Sequence, residues 1–93
     1  MTKDTLLLAL DAERLKNNAD TITVPEEREA TFIVGGAGET IQVGKVVRIE
    51  AREAALCLET SKGERSWFTY DVVLGLQLRS AKTAKESGAG FAR

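Results

Sequence analysis

The residues of this chain that could do chemistry are few, and histidine is missing altogether. That removes the usual general base, the usual activator of a nucleophile and the commonest metal ligand at once. One cysteine without histidine makes no structural zinc site from a single chain. The acidic residues do not follow calcium-loop spacing. No catalytic residue, cofactor or metal ligand is expected, and the chain reads as a non-enzyme. Cys57, the one cysteine, stands between Leu56 and Leu58. A reactive thiolate needs a neighbouring cation or a helix N-terminus, and the adjacent sequence offers neither. Cys57 is expected to be a small, partly buried apolar residue facing away from both leucines.

The glycine-rich loop at Gly35-Gly36-Ala37-Gly38 invites a phosphate-binding reading, because exposed backbone N–H groups can cradle anions. Its spacing fails. Five residues separate Gly38 from Gly44-Lys45 where a phosphate loop has four, and Val46 stands where that loop needs Ser or Thr. A hairpin turn is the expectation. Arg48 and Arg52 are spaced RxxxR, which resembles the arginine motif of PilZ-type cyclic-dinucleotide receptors. The polar stretch that would complete such a site, Glu59-Thr60-Ser61-Lys62-Gly63, is one residue short and begins with glutamate. On an alternating strand the two arginines are expected on the solvent face, paired with Glu50 or Glu59 across neighbouring strands.

Gly38-Glu39-Thr40-Ile41-Gln42-Val43-Gly44 resembles the Gly-Glu-Thr-apolar-x-apolar-Gly segment of the carbon storage regulator family of RNA-binding proteins. The resemblance covers less than half of the chain, from about Ala30 to Val73. It implies a small five-stranded fold and RNA as a partner. Gly35 and Gly36 stand where that family has a basic pair, and Tyr70 where its last strand supplies an RNA-contacting arginine.

Surface candidates follow from strand parity. Trp67 is out of phase with Phe68 and Tyr70 and so points outward, where Trp serves as a cover or as an anchor for a partner. Gln77 and Arg79 share that outward parity. Arg65, Trp67, Gln77 and Arg79, with Arg48 and Arg52, form the expected interaction surface.

These positions depend on elements that the apolar pattern predicts. Thr2 or Asp4 can cap a helix over about Thr5–Lys16, with Leu8, Ala12, Leu15 and Ala19 in one stripe and Asn17-Asn18 as its C-terminal cap. Leucine also stands at positions 6, 7 and 10, more than one stripe needs. Deeper burial beside the sheet is one reading of this surplus, and a second surface is the other, which makes Leu6, Leu7 and Leu10 candidate oligomer contacts. From residue 39 to 79 the period is two, not 3.6. Ile41, Val43, Val47, Ile49 and Ala51 share odd positions. Leu56 and Leu58, then Phe68, Tyr70, Val72, Leu74, Leu76 and Leu78, share even ones. Short strands are also expected at Thr21–Val24, stopped by Pro25, and at Ala30–Val34. Ser61–Glu64 is a tight connection, with a bend at Gly75 or a new strand after it.

One helix followed by five or six short strands predicts a mainly β fold. We expect a small antiparallel barrel on the scale of SH3 or Sm domains, since closure removes exposed sheet edges. At 93 residues the chain fits one domain, expected over residues 1–79 with a flexible tail at 80–93. Apolar content of 43% is ordinary for a folded chain, and 5% aromatic content leaves the core to Val, Ile and Leu. Net charge is −1, without the basic stripe of a phosphate-binding surface. No apolar run reaches the ~20 residues of a membrane span, and Leu6–Leu10 is too short for a signal-peptide core. A cytoplasmic protein with no membrane contact is expected. Its partner would be a second copy or another protein, with RNA or DNA as the alternative.

Overall fold

The computed structural model describes residues 1–15, 17–36 and 38–80. The chain is mainly β, with one N-terminal helix and a single strongly curled antiparallel sheet that forms a half-barrel. Helix α1 (Lys3–Ala12) begins where Thr2 stays extended and its hydroxyl accepts from the Thr5 amide at 3.1 Å. Asp4 in the first turn suits the positive end of the helix dipole.

The helix stops short of Lys16 because Arg14 takes left-handed backbone, with φ 66°. The Arg14 amide then donates to the Asp11 carbonyl, and the Leu15 amide to the Leu10 carbonyl, both at 2.9 Å. This is a Schellman closure, and the two leucines that it brings together are both buried. The Asn17-Asn18 pair is therefore not the cap expected for it. It forms a two-residue strand, β1 (Asn17–Asn18), against β2 (Thr21–Thr23).

The other strands are β3 (Arg28–Gly36), β4 (Glu39–Ala51), β5 (Leu56–Thr60), β6 (Arg65–Phe68) and β7 (Val73–Ser80). Long strand β4 organises them. Its first part pairs with β3, its last part pairs with β5 on the opposite edge, and β2 continues along the β3 edge after the break at Pro25. β6 adds to β5 and β7 adds to β3. Two consecutive pieces, β6 and β7, thus end up at opposite ends of the sheet. The turn that separates them is not at Gly75. It is a 3-10 turn at Tyr70–Val72, so the alternation that links Phe68 to Tyr70 in the sequence is not one continuous strand, and β6 ends at Phe68.

Parity within β4 also differs from the uniform odd pattern. Phe32 and Ala30 face Val43 and Val46, so three steps on β4 match two on β3. Thr60 and Glu59 then face Val46 and Arg48, two steps against one. Each extra residue is a bulge that turns the strand over. The first lies at Gly44-Lys45, where Lys45 has φ 54°. Val46 is buried as a result, Val47 is turned outward, and Ile49 and Ala51 return to the core. A third irregularity, at Leu74-Gly75, buries Val73 and turns Leu74 out.

The core fills the concave side of the sheet. Phe32, Ile22, Ile49, Leu56, Leu58 and Val73 are buried there beneath Leu6 and Leu10 of α1. Leu6 and Leu10 are thus core residues, the deeper burial that was one of the two readings of the surplus leucines, and not oligomer contacts; Leu7 is half-buried beside them. The leucine left outside is Leu8. Spacing of four places Leu6 and Leu10 on one helix face and Leu8 opposite. Ser80 ends β7 opposite Arg28; the remainder of the expected tail, residues 81–93, lies outside the described residues. No described helix is long and apolar enough to cross a membrane.

Candidate interaction surface

On the convex side, three strands lay their outward residues in two cross-strand rows. Arg48, Glu59 and Arg65 make one; Glu50, Cys57 and Trp67 make the other. Opposite charges alternate along the first row, with the Arg48 guanidinium 3.5 Å from the Glu59 carboxylate. Glu50 is the hinge between rows. Its two oxygens accept from Arg65 at 2.8 Å and from Arg52 at 3.3 Å. Arg48 thus pairs with Glu59 across neighbouring strands as expected, whereas Arg52 reaches Glu50 two residues back along its own segment and not across strands.

Cys57 lies under this layer and is buried, whereas only partial burial was expected. Arg65 is the cation that the adjacent sequence did not reveal, brought there by the β5–β6 hairpin. The Arg65 guanidinium is held above its ordinary value, first by the Cys57 side chain beneath it and then by the Glu50 carboxylate. Burial removes Cys57 from solvent, so its role is to pack beneath Glu50, Arg65 and Trp67. Trp67 is 54% exposed.

Gln77 and Arg79 do not join this patch. Both lie on β7, with β3, β4 and β5 between them and β6. Arg79 sits opposite Glu29 and contacts its carboxylate at 3.3 Å. The expected surface is therefore two surfaces, one at each end of the sheet. Arginine 28 on β3 is also paired, at 2.6 Å from Glu13. Each arginine of the expected surface is thus ion-paired, with Arg52 and Arg65 sharing Glu50.

Four outward apolar residues were not legible as such, one of them Val47, which the β4 bulge turns out. Leu8 on α1 is 69% exposed, Ile41 on β4 60% and Leu74 on β7 56%. Leu74 lies over Gly35, where a Cβ would come within 2.9 Å of its methyl and 2.7 Å of the Glu39 carbonyl. The glycine-rich loop is thus a hairpin end with a leucine packed across it. Bulge-forming glycines at Gly44 and Gly75 were the signal available for the reversals of Val47 and Leu74.

A groove of about 1090 Å³ runs between α1 and the β1–β2 ribbon, lined by Leu7, Leu10, Leu15 and Pro25 with Asp11 and Arg14 at its rim. A second hollow of about 530 Å³ lies between the β4 bulge and the β5–β6 turn and contains Lys45, Lys62, Ser61 and Glu64. Among the described residues, no three His, Cys, Asp or Glu side chains gather as a metal ion would require. No protein family, curated protein or solved structure matches this chain. The two short resemblances rest on their own residues alone.

Proposed function

We propose that the chain is a non-enzymatic interaction module, a small barrel of SH3-like or Sm-like scale that associates with itself and works in the cytoplasm. The observation that carries this reading is the placement of exposed apolar side chains on edge segments, Ile41 on β4, Trp67 on β6 and Leu74 on β7. Water gains from covering such groups, and an edge offers unpaired backbone N–H and C=O beside them. A sheet of this size also has little buried surface to spare, so a partner adds stability.

Nucleic acid is the alternative partner, and exposed Trp67 beside Arg65 is the feature that favours it. The ion pairs count against it, because phosphate would have to displace a carboxylate from each arginine. Sedimentation over a concentration series tests the proposal. A mass that rises with concentration is expected, and a strict monomer at tens of micromolar would overturn self-association. A salt-sensitive change of Trp67 fluorescence with oligonucleotides would move the assignment to nucleic acid.

A further inference from the structure

From the register of strand β4 we infer that its free edge, Glu39–Gly44, pairs antiparallel with the same edge of a second copy, about a two-fold axis at Gln42. This rests on the self-association proposed above and names its surface. Among the described strands, residues 39–44 of β4 pair only with β3; β5 begins its pairing at Val46. One side of this stretch therefore has unmet backbone donors and acceptors.

Burial points the same way. Ile41, Val34 and Val73 form one row across β4, β3 and β7. Val34 and Val73 are buried, and Ile41, the member on the free edge, is the one left bare. Its missing neighbour would come from a strand added at that edge.

Charge selects the occupant. A two-fold axis at Gln42 places Glu39 opposite Lys45 of the second copy, and Ile41 opposite its Val43, each twice. Neither Glu39 nor Lys45 takes part in an ion pair among the described residues, unlike the neighbouring arginines. Thr40–Gly44 carries no charge to repel a second strand. A sequence that is complementary to itself when reversed suits an isologous contact, and cross-strand pairs of opposite charge or of β-branched residues stabilise such pairing.

The test joins charge reversal with cross-linking in the full chain. Glu39→Lys sets like charges across the edge and is expected to weaken self-association at least tenfold in low salt. Lys45→Glu should do the same, and the double exchange E39K/K45E should restore it. Gln42→Cys should form an intermolecular disulfide at the axis under mild oxidation, since facing residues in an antiparallel pair lie within disulfide reach. Native mass and hydrogen exchange separate the failures. A wild-type dimer that is indifferent to the charge changes and does not cross-link overturns the β4 edge while leaving self-association in place. A monomer overturns both. Protection of the β4 edge amides that is independent of concentration would mean that another part of the same chain covers the edge, which also overturns the inference.

Discussion

Tyr70 shows how one side chain ties distant parts of this fold together. Its hydroxyl donates to the Arg52 carbonyl, closing the 3-10 turn onto the bend that follows β4. Burial first, and the nearby Asp20 charge second, raise its phenol above the ordinary 10.0. A raised value means that the folded protein favours the neutral form. The contribution to stability is therefore full below pH 10.0 and is lost as pH climbs from there through the folded value. Tyr70→Phe should cost about 1 kcal/mol near neutrality. The gap between wild type and variant, read from urea unfolding, should narrow above pH 10.0. A gap that stays flat or widens would sink this account.

At the scale of elements, irregularity in the backbone decides which side chains face out. Arg14 ends α1 in a conformation that costs an L-residue on the order of 1 kcal/mol and glycine nothing. Arg14→Gly should therefore raise the unfolding midpoint, stabilising by up to about 1 kcal/mol; the entropy of a more flexible unfolded chain offsets part of this. A lower midpoint would show that the Arg14 side chain contributes more than its backbone costs. The β4 bulges act similarly on parity. Without them Val47 would be inside and Val46 outside, whereas Arg48 keeps its outward parity either way because the second bulge undoes the first.

For the whole molecule, the helix is what covers the open side of a half-barrel. Leu6 and Leu10 fill the concave face alongside Phe32 and Ile49. Leu6→Ala should cost roughly 2–5 kcal/mol, a large share of the total for a domain of this size, on the order of 5–10 kcal/mol. Leu8→Ala should change stability by about 0.5 kcal/mol or less in the isolated chain. Thermal unfolding of the two variants compares them directly, and equal losses would contradict the assignment of Leu6 to the core and Leu8 to the surface. Exposed apolar groups and unpaired strand edges are then whole-molecule properties, because each depends on where the sheet stops.

Much of this was already legible along the chain. Alternation in residues 39–79 announced a β fold, Pro25 and the glycine-rich loop marked breaks, and Trp67 was outside by parity, as it is in the structure. Those features depend on neighbours one or two residues away, where side-chain direction and backbone restriction act directly. The bulges were not legible, since a bulge exists only against a partner strand and no local rule forces the extra residue. The same holds for Cys57 beneath Arg65, for the separation of Trp67 from Arg79, and for Leu6 exchanging places with Leu8. Composition and period determined a small curled sheet with one helix. Register, set by long-range pairing and by which leucines could reach the concave face, decided the surface that is left to work with.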